Sequence, residues 1–340
     1  MMPRGVIIPV FVPHLGCPND CVFCNQRRIS GAATPATAET VLSAVETAHR
    51  IIPPGKALQL AFYGGSFTAI SIGTQTELLD AAQPFLLQYE NSSIRVSTRP
   101  DCIDADIVSR LRTKGVAMIE LGAQSMCNDV LALSRRGHTA DDVARASGII
   151  KAAGMQLILQ MMTGLPGDTP EKSIGTARKI IRLAPDGVRI YPTVIVRDTE
   201  LYDMWRRGEY REHTVEDAVA LCAELYAMFE AAKIPVIRLG LNPTEELSGG
   251  AAAGGAYHPA FGELVYSRVF LNRARVLLAG IPPGSRVTLA VAKSRVSVMT
   301  GQRRCNIEAL TREFALSAVK VISATIGTGE IEISSVEKPN

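Results

Sequence analysis

Missing from this 340-residue chain is any apolar run approaching the ~20 residues that a membrane helix needs. The opening text MMPRGVIIPVFVPH lacks a cleavage region and reads as a first strand, so a cytoplasmic protein with no membrane association is expected. Charge of one sign is scarcely in excess. A formal net charge of +3 fits a polyanionic partner and ordinary solubility equally well, and decides nothing. Cysteine pairing is absent as well: Cys102, Cys127, Cys222 and Cys305 are scattered without ligand spacing, which argues against a disulfide framework and against a second metal cluster. Their expected role is that of small buried hydrophobes. The C-terminal region shows no G-x-G-x-x-G loop for a pyrophosphate.

The chain does have enough apolar material for a large core, with 47% hydrophobic and 20% charged residues. Apolar, β-branched strands alternate with helical text: GVIIPVFVPH, ALQLAFYGG, SIRVSTRP, VAMIELGAQS, MQLILQMMTGLPG and GVRIYPTVIV, then a last strand IPVIRLG. Such alternation implies right-handed βαβ crossovers and a parallel sheet buried on both faces. Six or seven units fall short of a closed eight-stranded barrel. The fold class expected is therefore α/β: an incomplete (β/α)6-type parallel barrel over residues 1–242. A Gly- and Ala-rich boundary and helical connection follows over 243–280, then a small α+β C-terminal domain over 281–340. Within these, Thr37 is expected to cap the first helix without Thr40 completing a capping box, and VSVMTG reads as strand-like.

Near the start, Pro13-His14-Leu15-Gly16-Cys17-Pro18-Asn19-Asp20-Cys21-Val22-Phe23-Cys24-Asn25 packs three thiols into eight residues with C-x3-C-x2-C spacing. A structural zinc site wants four protein ligands, so three suggest a metal centre with one position open. A cubane cluster held by three thiolates leaves one iron free for a small chelating molecule. The alternative is a zinc knuckle with His14 as fourth ligand.

This stretch closely resembles the radical S-adenosylmethionine (SAM) superfamily. Further texts at the strand ends, STRPD, ELGAQS, RRGHT, GLPG and RIYPT in that order, are similar to the radical domain of the Elongator complex's catalytic subunit and, more distantly, to oxygen-independent coproporphyrinogen oxidase. The resemblance covers about residues 5–240. It implies a 4Fe-4S cluster on Cys17, Cys21 and Cys24, and SAM chelated through its methionyl amine and carboxylate. One-electron cleavage would then give a 5'-deoxyadenosyl radical that takes hydrogen from a substrate. Position by position it implies Phe23 at the adenine and Gly64-Gly65-Ser66 at the methionyl amine, with Ser66 departing from the usual acid. Ser97 and Gln124 would lie near the ribose, Arg136 or its neighbour Arg135 at the carboxylate, and Gln160 near ribose or adenine. Tyr191 is a candidate for handling substrate, while His138 reads as a turn or capping residue. A low-potential electron donor of flavodoxin or ferredoxin type is implied as partner. An RNA base, in tRNA, is the substrate the resemblance favours.

The resemblance has limits. About a hundred residues follow the last barrel strand, which leaves no room for an acetyltransferase domain, and Asn25 after Cys24 speaks against porphyrin chemistry. A small-metabolite substrate and a non-catalytic iron-sulfur module that binds nucleic acid are the alternative functions.

Overall fold

Each strand of the larger sheet is a short apolar run that stops where glycine or polar residues begin, and most of the longer helices between them are started by a side-chain cap. Thr37, Ser71, Asp104, Thr139 and Thr169 all accept a hydrogen bond from a first-turn N–H. The computed structural model describes residues 6–12, 17, 20–25, 36–53, 56–89 and 91–339. The chain falls into two compact units, Met1–Ala218 with Phe229–Pro259, and Val219–Met228 with Ala260–Asn340.

In the first unit the strands are β1 (Val6–Phe11), β2 (Leu58–Tyr63), β3 (Ser93–Thr98), β4 (Val116–Gln124), β5 (Gln156–Thr163), β6 (Gly187–Pro192), β7 (Val194–Val196), β8 (Val236–Leu239) and β9 (Ala252–Gly255). Seven of them form one sheet in the order β1-β2-β3-β4-β5-β6-β8. All six pairings in it are parallel. Strands that neighbour in sequence order and are joined by helices make an open α/β half-barrel, the architecture expected from the alternation. β7 and β9 pair antiparallel in a separate ribbon.

The register decides which side chains share a face. Phe11 pairs with Tyr63, Ser97 with Glu120, Gly122 with Gln160, Gln160 with Arg189, and Arg189 with Arg238. Because side chains alternate along a strand, Arg95 joins Ser97 and Tyr191 joins Arg189 on that same face. One face of the sheet is therefore polar and charged along its length, although its strands read as nearly continuous apolar runs.

The second unit holds a sheet of β10 (Arg286–Ala292), β11 (Ala318–Ala324) and β12 (Ile331–Glu337) in the order β11-β10-β12. Its core joins Phe270, Leu271, Ala274 and Leu278 of helix Phe261–Leu278 to Val287, Leu289 and Val291 of the sheet.

Several local expectations need correction. Thr37 and Thr40 do form a capping box, because the Thr40 hydroxyl accepts from the Thr37 N–H at 3.2 Å and so does the work of the usual glutamate. The VSVMTG text is not a strand. Val296–Thr300 is one helical turn that buries Val298 and Met299 and stops at Gly301, whose φ of 77° ends the helix. A five-residue apolar run has no period long enough to separate the two conformations. The text GVRIYPTVIV is two strands separated at Thr193, directly after Pro192 ends the first; Thr193 donates its N–H and hydroxyl to the Thr163 carbonyl at 2.9 and 2.7 Å. Of the scattered cysteines only Cys222 is buried, Cys102 and Cys127 being half-buried and Cys305 exposed. Among the described residues no helix is long and apolar enough to cross a membrane.

Candidate functional site

The cysteine loop is tied down at Val22, which is buried between two helix ends. Its N–H donates to the Ser134 carbonyl at 3.3 Å, and its carbonyl accepts from the Leu201 N–H at 2.7 Å. Ser134 follows helix Asn128–Leu133, and Leu201 lies in the first turn of helix Glu200–Arg206. Within the loop the Cys24 N–H donates to the Cys21 carbonyl at 3.0 Å, closing a tight turn between the last two thiols. Of the three cysteines, Cys17 is exposed and Cys21 and Cys24 are half-buried. Among the described residues no three His, Cys, Asp or Glu side chains converge as ligands of one ion. His14, Gly16, Pro18 and Asn19 lie outside the described residues, so the zinc-knuckle alternative falls there too.

The surroundings of these thiols are basic. Arg136 is buried and donates from Nη1 to Cys21 Sγ at 3.2 Å and from Nη2 to the Gly122 carbonyl at 2.9 Å. Packing around the Cys17 sulfur raises its pKa and Cys21 adds to that, while Arg99, Arg136 and the Ser66 backbone N–H pull it down. Guanidinium groups beside a thiol favour the anionic sulfur that iron requires. The donor set therefore fits an iron-sulfur cluster: three thiols in one turn-rich loop, with cations and backbone N–H groups around them.

Arg136 rather than Arg135 is the buried member of its pair. Arg135 is solvent-exposed and contacts Glu200 at 3.7 Å. Arg136 is in turn held by Arg99, which is buried, fastened to Asp101 by two 3.0 Å hydrogen bonds, and donates from Nη2 to the Arg136 carbonyl. The sequence reading passed over Arg99, although a buried cation two residues before an acid at a strand end was a visible signal.

Gly122 lets two side chains approach its backbone closely. A Cβ there would sit 3.0 Å from Gln124 Nε2 and 3.2 Å from Arg136 Nη2. Gln124 has a φ of 60°, a left-handed conformation that costs a non-glycine residue on the order of 1 kcal/mol. The same position breaks the β4–β5 register, and it lets Gln124 Oε1 accept from Gln160 Nε2 at 3.4 Å. Cys21, Arg136, Gly122, Gln124 and Gln160 are thus one connected set.

The other expected residues lie around this set. Gly64, with φ 95°, and Gly65 follow β2, but the Ser66 hydroxyl is buried and engaged with the Thr98 hydroxyl at 2.9 Å and the Arg99 N–H at 3.3 Å. Ser97 Oγ is buried without a partner among the described residues. Phe23 packs against Ile195, Leu201 and Tyr210. His138 is buried, with Nε2 3.2 Å from the Ala123 carbonyl; burial and then Arg136 lower its pKa to about 4.

Deeper on the same sheet face lies a charge network that the sequence reading missed apart from Tyr191. Glu120, 3% exposed, meets Arg95 Nη1 at 3.4 Å and Arg189 Nε at 3.0 Å through one oxygen, Oε2. Tyr63 OH accepts from Arg189 Nη2 at 2.9 Å and from Arg95 Nη1 at 3.3 Å, and Tyr191 OH accepts from Arg189 Nη1 at 3.2 Å. Burial opposes the Arg189 charge, but Glu120 and the two tyrosines outweigh it and raise its pKa. Burial lowers the pKa of Arg238, and Arg189 lowers it further.

An all-parallel half-barrel with polar groups gathered at the carboxyl ends of its strands defines an α/β enzyme of the barrel type. The chain belongs to the radical SAM superfamily: the model described as "Radical SAM superfamily" matches residues 11–180, and "Radical_SAM C-terminal domain" matches residues 185–270. The cofactors of that superfamily, a 4Fe-4S cluster and SAM, are accordingly those of this chain. Among curated proteins it is similar to tRNA uridine(34) acetyltransferase of Methanocaldococcus infernus, 26% identical over 62% of this chain and 46% of the relative. It is also similar to Elongator complex protein 3 of Schizosaccharomyces pombe, 34% identical over 46% of this chain and 30% of the relative. The chain thus spans about half or less of the length of these relatives. In fold it resembles the Methanocaldococcus infernus Elp3 structure, with TM-score 0.64 and 21% identity over 84% of this chain and 67% of that one. The Escherichia coli coproporphyrinogen III oxidase HemN is similar at TM-score 0.51 and 17% identity, over 67% and 53%.

Proposed function

We propose that this enzyme uses SAM radical chemistry on an RNA base, in tRNA, with Cys17, Cys21 and Cys24 as the cluster ligands. The single observation that carries the site is the buried Arg136, which donates to Cys21 and leads through Gly122 to the Gln124–Gln160 pair. Cluster and SAM together supply one-electron reductive cleavage to a 5'-deoxyadenosyl radical able to take hydrogen from substrate. The protein's own contribution is orientation. Arg136, fixed by Arg99, supplies a cation beside the thiols and suits a carboxylate through its fork of donors. Gln124 and Gln160 offer amide donors and acceptors suited to ribose hydroxyls or adenine. Gly64-Gly65, without side chains, admits a ligand to backbone groups at the end of β2, and Phe23 offers the loop an aromatic face.

The tRNA substrate is supported by the relatives whose names specify tRNA uridine(34). Their acetyltransferase activity is not carried over, since the chain spans about half of them. A flavodoxin- or ferredoxin-type protein is the electron donor this chemistry calls for. The test is an anaerobic assay of 5'-deoxyadenosine from cluster-reconstituted protein with dithionite and SAM, with and without bulk tRNA. Product from wild type but not from a Cys17→Ala, Cys21→Ala, Cys24→Ala triple variant, increased by tRNA, is expected. No product from protein with an intact cluster overturns the radical reading. Product indifferent to tRNA overturns the substrate.

A further inference from the structure

We infer that Arg95, Arg189 and Arg238, with Tyr63 and Tyr191, form an oxyanion site on the inner face of the half-barrel, which receives a carboxylate or phosphoryl group of the substrate. The inference rests on the radical reading of the neighbouring barrel mouth, because Gln160 of that site is in register with Arg189.

Charge is the first argument. The three arginines share one sheet face, and Glu120 is the one carboxylate within 4 Å of any of them among the described residues. Residues 1–35, many of which lie outside the described set, contain a single acid, Asp20, so the loop has little to add. Three cations against one anion leave two positive charges in excess on a largely buried face. A purely structural ion-pair network would balance, since uncompensated buried charge is costly.

Unused hydrogen-bonding capacity is the second argument. A phenol has one donor and two acceptor positions. Both acceptor positions of Tyr63 are taken by guanidinium N–H groups, from Arg95 and Arg189, which leaves its own O–H to find an acceptor. Among the described residues none is present. Arg95 is 6% exposed, and its Nε is buried without a partner. Among the described residues Arg238, half-buried, makes one hydrogen bond, from Nε to the Gly240 carbonyl at 3.1 Å, and has no carboxylate partner. Arg189 Nε lies 3.0 Å from Glu120 Oε2 but is not aimed for a hydrogen bond, so that contact is Coulombic. Donors and positive charge in excess of acceptors describe a site suited to an anion. Arginine forks and a phenol O–H suit carboxylate and phosphoryl oxygens alike.

The test is calorimetric titration of cluster-reconstituted protein with inorganic phosphate and, separately, acetate, at ionic strength fixed with chloride. Saturable 1:1 binding of at least one probe is expected. It should weaken about tenfold or more in Arg238→Gln, a change of about 1.4 kcal/mol, and survive in Arg238→Lys. Preference for phosphate points to a nucleotide phosphate, and preference for acetate to a carboxylate on a small molecule. No saturable binding of either probe overturns the site, as does equal affinity in wild type and Arg238→Gln. Assaying 5'-deoxyadenosine on the same samples separates the two readings. Anion binding lost only in Arg238→Gln supports this site even where no deoxyadenosine forms; deoxyadenosine without anion binding overturns the site and leaves the radical reading standing.

Discussion

Glu120→Gln is the most informative single change in the barrel. The carboxylate is 3% exposed and its Oε2 faces two cations, Arg95 Nη1 at 3.4 Å and Arg189 Nε at 3.0 Å. The amide keeps the shape and removes the charge, so two buried guanidiniums are left facing each other. Removing one partner of a buried pair costs about 3–5 kcal/mol, and the acceptor oxygen that the amide retains argues for the lower end. At about 2–4 °C per kcal/mol for a domain of this size, a loss of about 3 kcal/mol lowers the melting temperature by roughly 6–12 °C. Thermal unfolding at neutral pH measures it. The double variant Glu120→Gln/Arg95→Met should lose less than the single one, because deleting a cation relieves the repulsion. Phosphate should raise the melting temperature of Glu120→Gln more than that of wild type, since a bound anion replaces the missing charge and stabilises by mass action. A shift below about 2 °C, or strictly additive losses in the double variant, would refute the reasoning.

Arg136→Gln removes the charged donor to Cys21, and 5'-deoxyadenosine formation by cluster-replete protein should fall about tenfold or more, the equivalent of one charge-assisted hydrogen bond. Thr37→Ala breaks the Thr37–Thr40 capping box and should cost about 1 kcal/mol in urea unfolding with no change in m-value. His138 has a folded pKa of about 4 against the usual 6.5, so the unfolded chain binds the proton first as pH falls. Stability from this group is whole above pH 6.5 and lost down to about pH 4, by roughly 3 kcal/mol. His138→Gln should flatten that part of the pH profile; an unchanged difference between pH 7 and pH 4 would count against it.

The architecture was legible because its signal is redundant. Every strand of the sheet is an apolar run of strand length, most of the longer helices between them carry a cap, and alternation admits few topologies. What failed was local and short. Val296–Thr300 has too few residues to show a period, and the Thr37–Thr40 box uses a threonine where glutamate is the usual partner. Exposure of Cys305 was illegible for a related reason: a small apolar residue at the first position of a helix has no pattern to say which way it faces.

The site was legible where chemistry is dense in sequence and illegible where it is dense only in space. Three thiols in eight residues announce themselves, whereas Arg95, Glu120, Arg189 and Arg238 are each a single charge inside an apolar strand, separated by 25, 69 and 49 positions of chain. Each alone reads as an exception to its strand. Only the parallel register brings the four exceptions onto one face, stepped diagonally across it: Arg95 level with Met118, Glu120 with Ser97 and Ile158, and Arg189 with Gln160 and Arg238. The shared face also supplies the rule that would have found them: in a sheet covered on both sides, a charge in the middle of an apolar strand needs a partner on the same face of a neighbouring strand, level with it or one step along. Counting such charges by sign then tells whether the strands satisfy one another. Here they do not, since three are arginines and one is a glutamate, and the imbalance is itself evidence of what the face is built to bind.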